Sequence, residues 1–210
     1  MKQNTVSKNV LERLPLYLQY LKSEGQNLGK TVSATAIARA LNLGEVQVRK
    51  DLGLVSGAGR PKIGYFTEEL VRQLEEYLSC RAEKGAVLVG AGKLGRALLD
   101  YDGFDEYGLR ISAAFDCDKA KTGTTDGGKS VLPLSEFSEY CKKEKPKIGI
   151  ITVPENAAEE ICDMMVKNEI LAIWNFSGRR LHVPENIIVR NENMASSLAV
   201  LSGYLKQQHS

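Results

Sequence analysis

The stretch from residue 86 to 99, AVLVGAGKLGRALL, constrains the fold of this chain more than any other. A short, β-branched apolar run ends at Gly90, and an amphipathic helical pattern begins within a few residues. Glycine at 90 permits a tight turn, glycine at 92 lets the backbone approach a pyrophosphate, and glycine at 95 lets the helix pack against the strand. This order predicts a strand, turn and helix that hold the phosphates of a dinucleotide; the alternative is a glycine turn without a ligand.

A carboxylate follows where such a fold needs one. Asp116 ends the apolar run 111–115 and lies 21 residues after Gly95. An acidic side chain at this place hydrogen-bonds the 2′-hydroxyl of a ribose. We therefore expect NAD(H) rather than the 2′-phosphorylated cofactor, because a carboxylate repels a phosphate.

The second part of the chain alternates apolar strand patterns with amphipathic helix patterns. Strands are predicted at 86–89, 110–115, 129–132, 148–153, 171–176 and 187–189, and helices at 135–141, 156–168 and 194–206. This alternation requires a parallel sheet that helices cover on both faces, with ligands beyond the carboxyl ends of the strands. The predicted fold class is α/β with a Rossmann-like sheet, and its crevice lies at 90–95, Asp116, 152–154 and 175–177.

The first part of the chain has the pattern of a helix-turn-helix. Apolar spacing predicts a helix over 9–21, with Pro15 in its first turn or at a kink. Residues 32–52 predict two short helices with a tight turn between them, and Ser33 is the expected N-cap. The outward-facing residues of the second helix are Gln47, Arg49 and Lys50. Such a pair reads DNA, although a helical pair with a solvated charged face has the same pattern.

A basic segment follows the two helices. Glycines and a proline at 53–65 predict a hairpin, or wing, whose tip carries Arg60 and Lys62. Thr67 is predicted to cap the next helix. Residues 1–65 hold ten Lys and Arg against four Asp and Glu. This excess of positive charge indicates a polyanion as partner.

These patterns divide the chain of 210 residues into two domains and a tail. We expect a winged helix-turn-helix domain over 1–80, a linker over 81–85, a dinucleotide-binding domain over 86–192 and a C-terminal helix over 193–210. No long apolar run or signal-peptide pattern is present in the sequence. The expectation is a cytoplasmic protein without a membrane partner.

The cysteines and histidines do not indicate a metal site. Four cysteines are scattered without a CxxC spacing, and the two histidines are far apart in the sequence. We therefore expect free thiols. Oxidation of Cys117, next to Asp116, is a separate hypothesis.

Taken together, the motifs resemble those of the redox-sensing transcriptional repressor (Rex) family. The resemblance covers nearly the whole chain and is carried by RLPLY at 13–17, VRKDL at 48–52, the glycine turn, ITVP at 151–154 and NF at 175–176. It implies a homodimer that binds palindromic double-stranded operator DNA and releases it when NADH replaces NAD⁺. It also implies that the C-terminal helix is exchanged between subunits, where it wedges between the partner's two domains.

The resemblance further implies a switch of three residues. In the family these are an arginine of the first helix, a tyrosine after the glycine turn and an aspartate at the start of the last helix. This chain has Arg13, Tyr101 and Asn193 at these places. Asn193 departs from the pattern because it cannot form an ion pair, although it can accept a hydrogen bond; the alternative is a simple N-cap.

The candidate residues form two sets. The cofactor set is Gly90, Ala91, Gly92, Lys93, Leu94, Gly95, Tyr101, Asp116, Thr152, Val153, Pro154, Asn175 and Phe176. The DNA set is Ser33, Thr35, Gln47, Arg49, Lys50, Arg60 and Lys62. No catalytic residue and no metal ligand are expected.

Two other functions compete with a repressor. One is an NAD-dependent dehydrogenase with a helical appendage, but the crevice segments offer no histidine as a base, and His182 is more typical of a surface residue. The other is a nucleotide-regulated module whose winged helix binds a protein.

Overall fold

The computed structural model describes residues 6–24, 27, 29–78 and 84–208. The chain forms two compact units, 1–82 and 83–210, and each is described by itself. The division falls inside the predicted linker, but Lys84 and Gly85 belong to the first strand of the second unit. Residues 81–83 lie outside the described part of the chain.

The described residues of the helical unit form four helices and a small two-stranded sheet. In chain order these are α1 (Lys8–Ser23), β1 (Thr31–Val32), α2 (Ala34–Ala40), α3 (Glu45–Ser56), β2 (Tyr65–Phe66) and α4 (Thr67–Tyr77). Pro15 lies inside α1. Apolar side chains of α1, α2, α3 and α4 are buried, among them Leu14, Leu18, Ile37, Leu52 and Leu74, and contacts join α2 to α3 and α4 to both α1 and α3. The helix-turn-helix is therefore held by burial of the apolar stripes that the sequence predicts.

Ser33 caps α2 as predicted, because its hydroxyl accepts a hydrogen bond from the Ala36 N–H at 3.0 Å. Thr67 does not cap α4. It is the first residue of that helix, and its hydroxyl donates to the Gly29 carbonyl at 3.0 Å. Thr67 therefore ties the start of α4 to the chain before β1.

The predicted hairpin at 53–65 is wrong in its first half. Residues 53–56 continue α3, which stops at Gly57 with φ of 73°. The turn itself is tight, with Arg60 bridged to Gly64, and Tyr65 pairs with Val32. The wing is therefore a short loop attached to β1 rather than a hairpin with two arms of its own.

The sheet unit alternates strands and helices. Its elements are β3 (Lys84–Val89), α5 (Lys93–Leu99), β4 (Leu109–Asp116), β5 (Gly123–Thr124), β6 (Ser130–Pro133), α6 (Phe137–Glu144), β7 (Ile148–Ile151), α7 (Ala158–Lys167), β8 (Ala172–Asn175), β9 (Ile188–Asn191) and α8 (Met194–Gln208). Short 3₁₀ turns at Asp102–Tyr107, Lys119–Lys121, Leu134–Glu136 and Glu155–Ala157 join some of them.

One seven-stranded sheet organises this unit, in the order β5-β6-β4-β3-β7-β8-β9. Every pair is parallel except β5 with β6. The chain leaves β3 toward β4 on one side and later returns to β7 on the other. This reversal opens a crevice at the carboxyl end of β3, as predicted for a Rossmann-like sheet.

Both faces of the sheet are buried. Val87 and Val89 lie in one apolar cluster with Phe115, Phe137 and Met165. Ala86 and Leu88 lie in the other, with Leu99, Ile111 and Val131. Successive residues of β3 thus point to opposite faces, which explains why the strand is a continuous apolar run.

The last helix, α8, is not buried by its own chain. Its large apolar side chains are exposed: Met194, Leu198, Val200, Leu201, Tyr204 and Leu205. The spacing of Leu198, Leu201 and Leu205 predicts one apolar stripe flanked by Val200 and Tyr204, and Met194 lies on the same side of the helix.

Among the described residues, no helix has both the length and the apolar character that a membrane span requires.

Candidate functional site

The glycine turn joins β3 to α5 and is held from two sides. Gly90 has φ of 108° and a Cβ there would lie 2.8 Å from the Thr152 carbonyl carbon, so only glycine fits. The Thr152 hydroxyl donates to the Gly90 carbonyl at 2.7 Å. Thr152 directly follows β7, so the neighbouring strand fixes the turn.

Gly92 and Gly95 have different surroundings. A Cβ on Gly92 would have no heavy atom within 4 Å, which leaves the main chain open to a ligand. A Cβ on Gly95 would lie 1.9 Å from the Gly90 carbonyl oxygen, so α5 can approach the turn only with glycine at this position. The crowding at Gly95 agrees with the close helix packing predicted for this glycine, and the approach of a pyrophosphate to Gly92 stays a prediction.

Asp116 is buried, with 5% of its surface exposed, at the end of β4. Its carboxylate accepts hydrogen bonds from the Ala91 N–H at 2.8 Å and from the Asp118 N–H at 2.9 Å, and Lys121 Nζ lies 3.3 Å away. Burial raises the pKa of Asp116, but these three donors outweigh burial and hold the pKa below its usual value. Asp116 therefore fixes the glycine turn as an ionised group, and its contact with a ribose stays a prediction.

Arg96 is a positioning residue that the sequence analysis missed. Its guanidinium donates to the Lys121 carbonyl at 2.7 Å and to the Ala91 carbonyl at 3.3 Å. It thereby ties α5 to the turn and to the loop after β4. The only signal in the sequence is its place directly after Gly95.

The strand ends at 152–154 and 175–176 contribute in different ways. Thr152 and Val153 are half-buried and Pro154 is exposed. The Asn175 side chain is 1% exposed, donates to the Arg179 carbonyl and to Asn191 Oδ1, and accepts from the main chain and the hydroxyl of Ser177. Because these bonds occupy both amide hydrogens and the oxygen, Asn175 shapes the loop after β8, and its contact with a cofactor stays a prediction.

Four aromatic side chains form a continuous row, which we call the aromatic row: Tyr101, Phe104, Trp174 and Phe176. Successive ring centroids are 5.0, 5.9 and 4.5 Å apart. Tyr101 lies at the outer end with 60% of its surface exposed. Phe104 and Trp174 were not predicted, because only the fold brings them beside Tyr101 and Phe176.

In the helical unit, most of the predicted DNA set lines one cleft, which we call the basic cleft. Its volume is about 360 Å³, and its lining includes Ser33, Thr35, Arg49, Arg60 and Lys62. The cleft lies between the start of α2, the helix α3 and the wing. Gln47 and Lys50 do not line it; they are exposed three residues apart on α3.

The charged residues of the basic cleft are partly engaged. Arg49 forms an ion pair with Glu45 one turn earlier on α3. The Arg60 guanidinium stacks over the Phe66 ring, 4.7 Å from its centroid. Lys62 at the tip of the wing has φ of 64°, a left-handed conformation that a side chain adopts at a cost.

Arg13 is bound inside the helical unit. Its Nε and Nη2 donate to the Asp51 carboxylate at 2.7 and 2.9 Å, and the Tyr17 hydroxyl donates to the same carboxylate at 2.7 Å. The bond to Asp51 raises the pKa of Arg13 above its already high value. Burial, followed by the bond to Asp51, raises the pKa of Tyr17 to about 12. Sequence reasoning missed Asp51 as the partner.

Asn193 is the N-cap of α8. Its Oδ1 accepts from the Ser196 N–H at 3.0 Å, and its carbonyl accepts from the Ser197 N–H. The structure thus supports the interpretation of Asn193 as an N-cap, and its part in a switch stays a prediction.

The described cysteines and His182 lie apart from the glycine turn and the basic cleft in the contacts that they make. Cys117 is exposed, while Cys141 and Cys162 are buried, and burial raises the pKa of each buried thiol to about 11. Cys80 lies outside the described residues. His182 is exposed and its main chain and ring both contact Glu159. In the described part of the chain, no group of three His, Cys, Asp or Glu could hold a metal ion.

Two family models match the chain. The model described as "CoA binding domain" matches residues 82–178. The model described as "Putative DNA-binding protein N-terminus" matches residues 5–53. The two matches fall on the sheet unit and the helical unit respectively.

Relatives match over nearly the whole chain. The redox-sensing transcriptional repressor Rex of Treponema denticola is 40% identical over 200 residues, which cover 95% of this chain and 95% of the relative. The protein of the same name from Porphyromonas gingivalis is 39% identical over 201 residues, covering 96% and 92%.

Solved structures of RSP, a Rex-family repressor, have the same fold. Its complex with beta-NAD+ and operator DNA matches with a TM-score of 0.90 at 29% identity, over 99% of this chain and 95% of that chain. Its complex with beta-NADH matches with a TM-score of 0.88 at 29% identity, over 99% and 97%.

Proposed function

This chain belongs to the Rex family of redox-sensing transcriptional repressors, and we propose on that premise that it binds operator DNA in a manner set by NADH and NAD⁺. The observation that carries the proposal is that one chain holds both sites. The sheet unit has a glycine turn open at Gly92, and the helical unit has a cleft lined by Arg49, Arg60 and Lys62.

The cofactor proposed for the sheet unit is NAD(H). The open main chain at Gly92 admits a pyrophosphate to the N–H groups at the start of α5. Asp116 is ionised at neutral pH, since its pKa is lowered, and a carboxylate disfavours a 2′-phosphate. The residues proposed to surround the cofactor are Gly90, Ala91, Gly92, Lys93, Leu94, Gly95, Tyr101, Asp116, Thr152, Val153, Pro154, Asn175 and Phe176.

The response is proposed to depend on the oxidation state of the nicotinamide. NADH and NAD⁺ differ by a hydride and by the charge of the ring, and the aromatic row offers a surface that can respond to both. The apo and NAD⁺ forms bind the operator in this proposal, and NADH releases it. A shift of the DNA-competent population from 99:1 to 1:99 needs a differential affinity of about 5.5 kcal/mol.

The helical unit is proposed to supply the DNA contacts. Ser33 uses its oxygen to cap α2, so its hydroxyl hydrogen can be donated to a phosphate. Thr35, Arg49, Arg60 and Lys62 share the basic cleft with it. Gln47 and Lys50 lie on the outer face of α3, where a recognition helix meets base edges.

The active form is proposed to be a cytoplasmic homodimer. The apolar stripe of α8 is exposed on its own chain, and a second copy of the chain would bury it by exchanging the helix. A dimer also matches a palindromic operator, because each half-site meets one helical unit. Arg13, Tyr101 and Asn193 are proposed as the switch between the two states.

The dehydrogenase alternative is not favoured, because relatives that match over nearly the full length carry the name of a repressor. The remaining alternative is a winged helix that binds protein, and a DNA-binding experiment distinguishes it from a repressor.

A gel shift with the gene's own upstream DNA should show binding with NAD⁺ and without cofactor, and release as the NADH:NAD⁺ ratio rises. Binding that is equal at all ratios would overturn the proposed sensing, and no binding would favour the protein-binding alternative.

The control is Gly92→Ala. It places a methyl group in the open space of the turn without a contact inside the chain. We expect it to bind DNA like the wild type and to lose the response to NADH. Loss of DNA binding in this variant would mean that the turn acts through folding rather than through the cofactor.

A further inference from the structure

The hydroxyl of Tyr65 is a buried polar group without a hydrogen bond. Tyr65 begins β2, where it pairs with Val32 of β1, and it has 8% of its surface exposed. Among the described residues, none donates to this hydroxyl or accepts from it. Burial of a hydroxyl without a partner is unfavourable, and most buried polar side-chain atoms in proteins are paired. Phenylalanine would fill the same space without this penalty, so packing alone does not explain a tyrosine here.

Tyr65 belongs to the wall of the basic cleft. Of the described residues that line this cleft with it, Arg49, Arg60 and Lys62 are basic and none is acidic. The ligand that suits such a cleft is an anion, and the phosphate oxygens of a nucleic acid accept hydrogen bonds from tyrosine as well as from basic side chains. A phosphate in the basic cleft would therefore supply the acceptor that the Tyr65 hydroxyl lacks.

The wing lies directly on the Tyr65 ring. A Cβ on Gly59 would lie 2.9 Å from Cζ and 3.3 Å from the hydroxyl oxygen of Tyr65, so glycine at this position lets the main chain cover the phenol group. Gly57 follows α3 with φ of 73°, and a Cβ there would have no heavy atom within 4 Å. Residues 57–59 thus combine two glycines with open space at the first of them, which leaves this segment room to shift.

The tip of the wing is anchored separately. Arg60 and Gly64 are bridged by two main-chain hydrogen bonds of 2.8 and 2.9 Å. A Cβ on Gly64 would lie 2.4 Å from the Val32 carbonyl oxygen, so the tip packs closely on β1. A shift of residues 57–59 can therefore uncover the hydroxyl while Arg60 and Lys62 keep their places in the basic cleft.

We propose that the Tyr65 hydroxyl is a phosphate-binding group of the basic cleft, which residues 57–59 cover in the free protein and uncover on operator DNA, where it donates to a backbone phosphate oxygen. The inference rests on the proposed operator binding and adds a neutral donor to the DNA contacts. Such a bond fixes the register of the helical unit on the duplex and carries no base preference.

The test is Tyr65→Phe in the full-length protein, which keeps the ring and removes only the hydroxyl. Without DNA this variant should be at least as stable as the wild type, because it removes an unpaired buried group. It should bind the operator about tenfold more weakly, since a hydrogen bond to a charged group is lost. Tyr77→Phe, at the last residue of α4 and outside the lining of the basic cleft, is the matched control and should change neither property.

Two results of this comparison would overturn the inference alone. One is equal operator binding by the wild type and Tyr65→Phe. The other is a lower stability of Tyr65→Phe without DNA, which would mean that the hydroxyl already has a partner in the free protein. Failure of the wild type to bind any operator would instead overturn the proposed function, and the inference with it.

The salt dependence of binding separates a direct contact from an indirect one. The Tyr65 hydroxyl carries no charge, so Tyr65→Phe should leave the slope of log affinity against log salt unchanged. A variant that merely misplaced Arg60 or Lys62 would lose contacts of charged groups, and its slope would fall. A lower slope in Tyr65→Phe would therefore overturn the inference.

Neutral methylphosphonates at single operator positions locate the contact. We expect one symmetric pair of positions at which this replacement weakens the wild type about tenfold more than it weakens Tyr65→Phe, because the variant has already lost the bond. Equal weakening of both proteins at every position would mean that the hydroxyl binds no phosphate, and it would overturn the inference while leaving operator binding intact.

Discussion

At the scale of single residues, alanine substitutions at two glycines of one turn are expected to affect different properties. The substitution at Gly95 should lower stability, and the one at Gly92 should weaken cofactor binding. Gly95→Ala puts a methyl group 1.9 Å from the Gly90 carbonyl oxygen, where neither backbone can yield. We expect a loss of stability of about 1–3 kcal/mol, as in other overpacked sites. Gly92→Ala meets nothing within 4 Å and should keep wild-type stability while its methyl group blocks the cofactor.

Thermal unfolding and cofactor titration separate these two outcomes. The chain has a single tryptophan, Trp174, which packs in the aromatic row and can transfer excitation to bound NADH. Gly92→Ala should need at least about tenfold more NADH for the same transfer, if one phosphate contact is lost. Full NADH affinity in Gly92→Ala would contradict the placement of the pyrophosphate at this turn.

Ionisation of Tyr17 is expected to lower the stability of the helical unit at alkaline pH. Its pKa is 10.0 as a free side chain and about 12 in the fold, so folding favours the protonated hydroxyl. The stabilisation that depends on this proton is complete below pH 10 and is lost as the pH rises toward 12. Tyr17→Phe should be less stable by about 1.5–3 kcal/mol at neutral pH, since a hydrogen bond to a charged group is lost. The free energy of unfolding, measured in urea from neutral to alkaline pH, should decline less in this variant than in the wild type. An identical decline in both would exclude Tyr17 as the cause.

At the scale of elements, the wing offers a test that separates charge from backbone strain. Lys62→Ala and Lys62→Gly both remove one positive charge from the tip. If Lys62 binds a phosphate, both should lower the slope of log affinity against log salt by about one unit. Glycine also relieves the left-handed backbone at φ of 64°, so Lys62→Gly should be more stable than Lys62→Ala by about 1 kcal/mol. Unchanged salt slopes would remove Lys62 from the DNA contacts.

Local patterns could predict the elements where one short stretch decides the structure. The glycine turn, the cap at Ser33 and the alternation that builds the parallel sheet all depend on neighbours in sequence. The wing could not be predicted fully, because Leu54 and Val55 suit a strand as well as a helix. The end of α3 is set by Gly57 rather than Gly53, since packing of Val48 and Leu52 in the core favours a longer helix.

Contacts between distant elements lay beyond sequence reasoning. Arg13 and Asp51 are 38 residues apart, and their pairing depends on how α1 packs against α3. In the sheet unit, Ala91 and Asp116 are 25 residues apart, and only the register of β3 and β4 brings the turn N–H to the carboxylate. The nature of both sites could thus be predicted, whereas the groups that hold them rigid could not.

At the scale of the whole molecule, α8 is expected to decide the oligomeric state. Leu201→Glu combined with Leu205→Glu places two charges in its exposed apolar stripe. We expect a folded monomer with weaker operator binding, because burying an unpaired charge in an interface is unfavourable. Ser196→Glu, on the opposite side of the helix, is the matched control and should leave the dimer intact. Sedimentation velocity measures the outcome, and a dimer in the double variant would exclude the exchange of α8.

The coupling between the two sites can be measured in both directions. If NADH weakens operator binding, then operator must weaken NADH binding by the same factor, since both describe one free energy. Titration of NADH, followed by energy transfer from Trp174, should therefore give a higher dissociation constant when operator DNA is present. Allosteric couplings are typically about 1–3 kcal/mol, which corresponds to a ratio of about 5 to 150. The same titration with NAD⁺, followed by quenching of Trp174, should show little change, because that form binds DNA in the proposed scheme. Equal NADH constants with and without DNA would mean that the two units bind their ligands independently, whatever the affinity of each.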